Sequence, residues 1–540
     1  MRMHTIVRLI ALLLVFTASA SSLLTARSLA APSGVTITVT TGLDDDGSTC
    51  DSNACTLRGA INRANANSQA LNKIVFASTA SMVFVTNGPL PTITDPGLII
   101  DGSYNNTFPR IYGANGGTFF INASYMTIVY LTIVNTQNGP DIQIDGGRDI
   151  AIGNNYLGTV ANAPNCAYVS TNQGWNGVRV MPNNTGNSTT PVAYIYGNVI
   201  ACHQYEGILV RGATVKIGHD RGDQVVPNLI GVMDNGVSAG GNGYAGIAIT
   251  NSAYTPTDNL IEGNVISGNG HEGIYVFGTI GTQIEGNIIG LNAPKSTPIP
   301  NGLAGIALSG AESATVGSSP TSYNLIAGNT REGIYINNSS NVLVWWGTVI
   351  GAPVPSGNSA ITCPPGWGNG LAGILLDSST DSSTISPGLV GCNGGAGIAT
   401  YGTATHVRNR IVPLMVGENG GLPIDRGNDG VTPLNYPKIT SVQPNGQNVT
   451  IAGTACANCD VYIYAARGNP AAAGGGGVLI DSATANSAGQ WSLTVNSSTV
   501  TPLVTALAPA SFSAHVYDPS PSGTFELSPR PQVFLPLVVK

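Results

Sequence analysis

The chain has 540 residues, more than one compact core usually supports, so we expect several domains or an elongated repeat. Charged residues make up 9% of the chain, where soluble domains average about 25%, and 70 residues are glycine. The net charge of −7 excludes strong electrostatic binding of nucleic acid, and the 42% hydrophobic content excludes a disordered chain. This composition is typical of many short strands joined by glycine and asparagine turns.

The N-terminus has the pattern of a secretory signal peptide. Arg2 and Arg8 precede an apolar run at residues 9–16, and small residues follow at 18–20. The run is shorter than the about 20 residues that span a membrane. We therefore assign residues 1–31 to a signal peptide, with the cleavage site open between positions 20 and 30. The mature protein is expected to be secreted or at the cell surface, with no transmembrane segment.

The eight cysteines are an even number in a chain that is expected to be exported, which predicts disulfides. Cys50 and Cys55 are close in sequence, and so are Cys456 and Cys459. The second pair could also form half of a zinc site or a redox dithiol. No second Cys or His pair stands near it in the sequence, which favours the disulfide.

A glycine–aliphatic phrase recurs from residue 177 onward at intervals of 24 to 40 residues. Its occurrences are Gly177-Val178, Gly207-Ile208, Gly246-Ile247, Gly273-Ile274, Gly305-Ile306, Gly333-Ile334, Gly373-Ile374 and Gly397-Ile398. A second phrase, such as Gly263-Asn264-Val265-Ile266, lies between these anchors. A fixed phrase with elastic spacing indicates a structural repeat that carries loop insertions.

Each repeat contains short β-branched runs separated by Gly and Asn, is too short for a propeller blade and lacks helical periodicity. We therefore predict an all-β protein: a right-handed parallel β-helix, the pectate-lyase-like solenoid, at residues 97–425, with about three strands per coil. Aliphatic residues would stack inside, and Gly and Asn would accept the left-handed backbone at the corners. A sandwich of unrelated strands is the alternative, but it leaves the repeated phrase unexplained.

The repeat also suggests how the remaining four cysteines pair. Cys202 and Cys392 each lie five residues before an anchor glycine, whereas Cys166 and Cys363 lie eleven and ten residues before theirs. The same offsets thus occur twice in consecutive coils. We predict the disulfides Cys166–Cys202 and Cys363–Cys392, each of which joins a long loop to the next coil.

The segment before the coils predicts a capping helix with Thr56 as its N-cap. Leu57, Ala60, Ile61 and Ala64 fall on one helical face. Because a β-helix must cover its open ends, we assign residues 32–96 to an N-terminal cap module that contains this helix.

The residues around this helix resemble the N-terminal module of bacterial secreted β-helix proteins named for a Cys-Ser-Leu-Arg-Glu-Ala motif. The resemblance is carried by the Asp-rich turn at 44–47, by Cys50, and by Cys55-Thr56-Leu57-Arg58-Gly59-Ala60. Thr56 replaces the Ser of the motif and Gly59 replaces the Glu, which removes half of a capping box. Residues 421–430 also resemble the segment that ends such helices. The resemblance implies the fold and export, but no single reaction.

The sequence changes character after residue 437. Residues 438–528 alternate like antiparallel strands and are similar to bacterial immunoglobulin-like surface modules, which predicts a C-terminal β-sandwich. Residues 426–437 are assigned to a linker. The apolar tail at 529–540 is similar to tails of exported proteins of some filamentous phototrophic bacteria, and both a sorting signal and a final strand stay open.

Acidic residues recur immediately before the anchor glycine. Glu206, Glu272 and Glu332 alternate with alanines. This would place them about 10 Å apart along one side of the rod, slightly beyond the about 6.5 to 9.5 Å of an inverting glycosidase pair. His271 precedes Glu272, and Arg331 precedes Glu332.

Tyr275 and Tyr335 are predicted to point outward on the strands that follow, where their rings could stack on sugars. Glu272, Glu332 and His271 are the catalytic candidates if the protein is an enzyme. The candidate binding residues are Glu206, Tyr275, Tyr335 and Arg331. The structural alternative is that each glutamate caps backbone amides or pairs with arginine in a half-buried turn.

Calcium is possible because hard oxygen donors cluster in two places. These are Asp44, Asp45 and Asp46 in one turn, and Asp141, Asp145 and Asp149 in another segment. Ordinary solvated turns are the alternative, and no other cofactor is predicted.

Parallel β-helices of this type are best known as polysaccharide lyases and hydrolases, tailspikes and adhesins, and the fold alone does not choose among them. The chain lacks the Asn-Thr-Asp, Gly-His-Gly and Arg-Ile-Lys phrases of polygalacturonases and the basic motifs of pectate lyases. We therefore expect a non-catalytic, adhesin- or matrix-like protein that binds an extracellular polysaccharide or another cell-surface component, and no nucleic acid. The alternative is a polysaccharide lyase or inverting glycoside hydrolase that acts along the β-helix face.

Overall fold

The structure is a computed structural model. It describes residues 34–45, 50, 54–68, 71–103, 108–168, 174–181, 192–252, 255–318, 322–355, 360–377, 379–401, 409–425, 437–467, 476–500 and 512–517. The predicted signal peptide, residues 426–436 of the predicted linker and the predicted C-terminal tail lie outside the described residues.

Three long sheets of parallel strands build the coil region, and each regular coil supplies one strand to sheet A, then one to sheet B, then one to sheet C. Sheet A contains β1 (Thr36–Val39), β2 (Lys73–Phe76), β4 (Ile99–Asp101), β7 (Thr127–Val129), β10 (Ile150–Gly153), β13 (Ala193–Tyr196), β16 (Val215–Ile217), β19 (Leu260–Glu262), β22 (Gln283–Glu285), β25 (Thr315–Val316), β28 (Leu343–Val344), β31 (Thr384–Ile385) and β34 (Arg410–Ile411). Sheet B contains β3 (Met82–Phe84), β5 (Arg110–Tyr112), β8 (Thr132–Val134), β11 (Tyr156–Leu157), β14 (Val199–Ile200), β17 (Leu229–Ile230), β20 (Val265–Ile266), β23 (Ile288–Ile289), β26 (Asn324–Ile326), β29 (Thr348–Ile350), β32 (Leu389–Gly391) and β35 (Met415–Gly417). Sheet C contains β6 (Phe119–Asn122), β9 (Ile142–Gly146), β12 (Val178–Val180), β15 (Ile208–Arg211), β18 (Ile247–Thr250), β21 (Ile274–Phe277), β24 (Ile306–Ser309), β27 (Ile334–Asn337), β30 (Ile374–Asp377), β33 (Ile398–Tyr401) and β36 (Ile424–Asp425). This is the predicted right-handed parallel β-helix.

The recurrent glycine–aliphatic phrase marks the start of each sheet C strand from β12 to β33. The phrases stack in line: the Gly246 N–H donates to the carbonyl oxygen of Glu272 at 3.0 Å, and Ile274 pairs in register with Ile306. The predicted stacking is confirmed. Because successive coils are about 4.8 Å apart, residues far apart in sequence form straight columns along the rod.

The core is a set of aliphatic columns that run inside the coils. Ile247, Ile274 and Ile306 are each 0% exposed, and equivalent positions of the other coils are filled in the same way. Burial of these columns is the main stabilising contribution, since each coil hides its apolar face only against its neighbours.

Helix α1 (Leu57–Ala66) covers the N-terminal end of this core. Its predicted apolar face is buried, and the Gly59 N–H donates to the Thr56 hydroxyl at 3.0 Å, so the predicted N-cap is present. Arg58 anchors the helix to the segment before it, because its guanidinium forms two hydrogen bonds to the carboxylate of Asp44, at 2.8 and 2.9 Å.

Two columns of buried asparagines line the corners. Between sheets A and B stand Asn155, Asn198, Asn228, Asn264, Asn287 and Asn324, and between sheets B and C stand Asn242, Asn269, Asn301, Asn329, Asn369, Asn393 and Asn419. Except in Asn324 and Asn419, which end the columns, each Nδ2 donates to the Oδ1 of the next asparagine, as Asn264 does to Asn287 at 3.1 Å. The predicted left-handed corner backbone belongs to preceding residues such as Gly263 and Gly286, with φ of 75° and 68°. The prediction was wrong for these ladder asparagines, whose role is hydrogen bonding.

The C-terminal part is antiparallel. Strands β37 (Lys438–Asn445), β38 (Asn448–Thr454) and β41 (Gln490–Asn496) form one sheet, and β39 (Asp460–Arg467), β40 (Gly476–Thr484) and β42 (Phe512–Tyr517) form a second. A short helix, α2 (Ser497–Val500), follows β41. Ile451, Ile463 and Trp491 from both sheets share one core. Strand β40 also pairs with β35, so the second sheet continues sheet B.

The structure contains four disulfides, Cys50–Cys55, Cys166–Cys202, Cys363–Cys392 and Cys456–Cys459. The pairs deduced from the repeat offsets are therefore present. Short 3-10 helices lie at Ser78–Ala80 and Cys166–Tyr168. Among the described residues, no helix is both long enough and apolar enough to cross a bilayer.

Candidate functional site

The outer face of sheet C carries two columns of outward side chains, because alternate residues of each strand point away from the core. The first column contains Gln143, Arg179, Leu209, Ala248, Tyr275, Ala307, Tyr335, Leu375 and Ala399. The second contains Arg211, Thr250, Phe277, Ser309, Asn337, Asp377 and Tyr401. Tyr275 and Tyr335 lie between buried residues of their strands, which is the outward position predicted for them.

The three glutamates form a column beside this face. The backbone carbonyls of Ala245, Glu272, Ala304 and Glu332 each accept from the anchor glycine of the preceding coil, so their positions are in register. Glutamates two coils apart are therefore separated by about 10 Å between their backbones. Their surroundings differ, and this decides which of them a substrate could reach.

Glu332 is removed from solvent. Its side chain is 4% exposed, and Arg331 Nη2 lies 3.4 Å from its carboxylate. Tyr335 is oriented toward the next coil, because its hydroxyl donates to Asp377 Oδ2 at 2.9 Å. Burial, together with that carboxylate, raises the pKa of Tyr335 to about 12. We do not retain Glu332 as an acid–base candidate, because a buried carboxylate cannot contact a sugar lying on the face.

Glu272 is half-buried and His271 beside it is exposed. Burial and the nearby Glu272 carboxylate both raise the pKa of Tyr275. The Tyr275 ring packs toward Leu209 and Ala248 on the N-terminal side, and its centroid lies 6.3 Å from that of Phe277. Glu272 thus borders an aromatic part of the face.

His271 ends a row of aromatic side chains at the corner between sheets B and C. The rings of Trp175, Tyr205, Tyr244 and His271 contact in sequence, with centroids 6.0, 5.2 and 4.6 Å apart. Tyr205 and Tyr244 are parallel within 8°, so each covers a face of the other. The stacked faces of Tyr205 and Tyr244 are therefore not open to a ligand.

A group of charged side chains lies on the N-terminal coils of sheet C, and its arginines are not among the residues predicted from the sequence. Arg179 is half-buried, and its pKa is lowered by burial and by the like charge of Arg211, while Asp145 and Glu206 act in the opposite direction. The Arg179 Nε atom is shielded from solvent and has no hydrogen-bond partner among the described residues.

The neighbouring carboxylates are held by amides. Gln143 donates to Asp145 at 2.7 Å, and Asn176 donates to Glu206 Oε2 at 2.9 Å. Within the described part of the chain, neither Arg179 nor Arg211 forms an ion pair with a carboxylate. Two guanidinium groups therefore face outward side by side without direct neutralisation. The repeat could have revealed them, since Val178-Arg179-Val180 follows an anchor glycine and its register puts Arg179 outward.

Of the possible calcium ligands, Asp46 lies outside the described residues, and the others have protein partners. Asp141 lies 3.0 Å from His203 Nε2 in a pair that is almost fully buried, and Asp149 binds Arg221 at 2.5 Å. Asp44 binds Arg58 at 2.8 Å. The described residues contain no group of three or more His, Cys, Asp or Glu side chains arranged to hold a metal ion.

A second titratable cluster lies on sheet A, away from this face. His219 Nε2 lies 2.5 Å from Glu262 Oε2, and Glu262 pairs in register with Glu285 on the next coil. Burial and the adjacent Glu262 carboxylate raise the pKa of Glu285.

The known proteins that are similar to this chain are found among the solved structures. No family model matches the chain, and no curated protein matches it either. The A-module of the mannuronan C-5 epimerase AlgE6 from Azotobacter vinelandii is similar at 14% identity, with 72% of this chain and 88% of that chain covered and a TM-score of 0.39. The Dettilon tailspike protein is similar at 13% identity, with 89% and 93% covered and a TM-score of 0.37. The catalytic unit of a GH87 α-1,3-glucanase from Streptomyces thermodiastaticus is similar at 12% identity, with 74% and 72% covered and a TM-score of 0.31.

The expectation of a non-catalytic binding protein is corrected here. The similar structures include those of mannuronan and alginate epimerases, a glucanase and the enzymatically active domain of a tailspike, all of which are enzymes by name. At these identities the likeness itself concerns the fold.

Proposed function

We propose that the protein is a polysaccharide lyase that cleaves a uronate-containing polysaccharide lying along sheet C. The observation that supports this most is the pair Arg179 and Arg211, whose guanidinium groups face outward and form no ion pair with a carboxylate of the described residues. A guanidinium is a planar, permanently charged donor that suits a carboxylate ligand. Half-buried Arg179 beside exposed Arg211, on a chain with 9% charged residues, is a site for an anionic sugar.

A lyase cleaves its substrate by elimination, and elimination at a uronate requires a positive charge beside the carboxylate. The proton on C5 of a uronate is removed more easily when the adjacent carboxylate is neutralised, because charge develops on that carboxylate in the transition state. In this proposal Arg179 and Arg211 supply the neutralising charge. The C5–H bond breaks, the C4–C5 double bond forms, and the C4–O bond to the neighbouring sugar breaks.

Glu206 is the proposed base. It lies in the corner that leads into β15, on the coil next to Arg179, and is close enough to act electrostatically on that guanidinium. Asn176 orients its Oε2 atom, which leaves the other oxygen to accept the C5 proton. The same carboxyl group then returns the proton to the leaving oxygen, so no other reactant is consumed.

The test is an assay of the purified chain on uronate polysaccharides, with the ultraviolet absorbance of the unsaturated product as readout. We expect Arg179→Gln to lower kcat/KM by about 10²- to 10³-fold, as for loss of one transition-state donor. Glu206→Gln should lower kcat by about 10²- to 10⁴-fold. Arg110→Gln on sheet B removes the same charge elsewhere and should have no effect.

Two results would overturn this proposal. One is new reducing ends without unsaturation, which would indicate the inverting hydrolase. The other is Arg179→Gln cleaving as fast as Arg110→Gln.

We further propose that the protein is exported and meets its polysaccharide outside the cytoplasm, with residues 1–31 removed and residues 438–528 forming an immunoglobulin-like surface module. Four disulfides support an oxidising compartment. Mass spectrometry of the protein secreted by a producing cell tests this: a mature N-terminus between positions 20 and 32 is expected, and an intact Met1 in a cytoplasmic fraction would contradict it.

A further inference from the structure

We infer that the substrate is a heteropolysaccharide in which each reacting uronate is flanked by neutral sugars, rather than a homopolymer of uronates. This inference rests on the lyase proposed above and concerns the subsites on either side of Arg179 and Arg211. It follows from how charge is distributed along sheet C.

The arginine pair is the positive part of the face, and acidic groups bracket it. On the N-terminal side Asp145 lies on β9, the coil before Arg179. On the C-terminal side Glu272 lies two coils beyond Glu206, half-buried and without an ion-pair partner among the described residues. A second uronate on either side would therefore meet a like charge.

The sheet C strands next to the arginine pair on its C-terminal side carry no charged outward side chain, and Glu272 borders them in the corner before β21. Strands β18, β21 and β24 carry outward Ala248, Thr250, Tyr275, Phe277, Ala307 and Ser309, and no cation. They cover about 14 Å of rod at about 4.8 Å per coil. The next cation in the corner column, Arg331, already lies against the carboxylate of Glu332. A chain of uronates along this stretch would lack positive partners.

The same stretch suits a neutral sugar. Phe277 is 42% exposed and Tyr275 is half-buried beside it, and the small side chains of Ala248 and Ala307 stand above and below Tyr275 in its column. An aromatic wall with small neighbours favours the apolar face of a neutral pyranose. The same wall disfavours a carboxylate, since removing an unpaired charge from water is costly.

The test compares kcat/KM on gellan and hyaluronan, which have one uronate per repeat, with kcat/KM on polygalacturonate and alginate, in which every residue is a uronate. We expect at least about a tenfold preference for the heteropolymers, because a like charge at a subsite costs about that much near a protein surface. Glu272→Gln should shrink the preference severalfold, mainly through a lower KM on the homopolymers. Glu312→Gln, an exposed carboxylate in the turn after β24, removes the same charge and should leave the preference unchanged.

The outcomes separate the two proposals. Equal or faster cleavage of the homopolymers would overturn this inference and leave the lyase intact. An unchanged preference in Glu272→Gln, or loss of all cleavage in that variant, would also overturn it, because Glu272 would then not act as a charge barrier. No cleavage of any of the four polymers would overturn the lyase proposal itself and this inference with it.

Discussion

Replacing Asn264 with alanine tests whether the corner ladder holds the rod together. The Asn264 Oδ1 atom accepts from the backbone N–H and the Nδ2 of Asn228, at 3.1 and 2.8 Å. Its Nδ2 donates to the carbonyl oxygens of Ile217 and Glu262 and to Asn287 Oδ1, at 3.0, 2.9 and 3.1 Å. Asn264→Ala removes all five contacts in a fully buried corner. It leaves the backbone N–H of Asn228 and one Nδ2 hydrogen without an acceptor, while the other Nδ2 hydrogen still donates to the Ile195 carbonyl oxygen at 2.9 Å.

The magnitude follows from these contacts. A buried donor or acceptor left unpaired costs about 1 to 3 kcal/mol, and the two Asn228 donors are the groups most affected, so we expect a loss of about 3 to 5 kcal/mol. Water entering the corner would bring the value to the lower end. Asn264→Asp should cost at least as much as alanine, because its buried carboxylate would face the three acceptor oxygens that the native Nδ2 contacts.

The assay is guanidinium chloride unfolding followed by far-ultraviolet circular dichroism. Free energies of unfolding are compared between variants whose dependence on denaturant concentration has the same slope. Asn122→Ala is the matched control, because Asn122 is an exposed residue at the end of β6 on the face of the same rod. It should change the free energy of unfolding by about 0.5 kcal/mol or less. A loss in Asn264→Ala no larger than in this control would refute the ladder as a source of stability.

Three further changes have defined outcomes. Replacing Cys166 and Cys202 with serine opens a loop of 36 residues and should cost about 4 kcal/mol of unfolding free energy, and a cost below about 1 kcal/mol would contradict a role in stability. Burial alone would raise the pKa of Asp44, but hydrogen bonds from Arg58 and from backbone N–H groups lower it below 3.8 overall. The ionised Asp44 therefore stabilises the folded protein above pH 3.8, and this stabilisation is lost as the pH falls through the lowered pKa. Arg58→Met should therefore cost about 3 to 5 kcal/mol at pH 7 and less at pH 2 in the same unfolding assay, and a cost independent of pH would argue against the ion pair. The pKa of Glu285 is raised by burial and by a neighbouring carboxylate, so its ionised form weakens the fold above its ordinary pKa of 4.5. Glu285→Gln should therefore stabilise the protein by up to about 1 kcal/mol at pH 7 and change its stability very little at pH 3. Equal effects at the two pH values would rule out this explanation.

Several features of the fold were predictable because they depend on period and local chemistry. The anchor phrase recurs once per coil, and each anchor can pair only with its equivalent above and below, so Ile274 had to meet Ile306. Once the register was known, the equal cysteine offsets predicted Cys166–Cys202. Thr56 followed by an apolar helical face was sufficient for the cap of α1.

The ladder asparagines and the charged site were decided by tertiary structure. Asn264 and an ordinary turn asparagine look alike in sequence, and only burial with hydrogen bonds to the coils on both sides separates them. The recurring glutamates looked equivalent, yet Glu332 is buried against Arg331 while Glu272 is not. Side-chain packing sets that difference, and it does not repeat with the sequence.

The sequence by itself determined the coils, which strand residues point toward or away from the core, and two disulfides, because strand alternation and coil period are local properties of the chain. Only the tertiary structure decided which outward residues act together. Arg179 and Arg211 belong to different coils, and among the described residues the neighbouring acids Asp145 and Glu206 accept from Gln143 and Asn176 and form no ion pair with either arginine. Charge balance at a surface is a sum over all neighbours in space, which no single repeat contains.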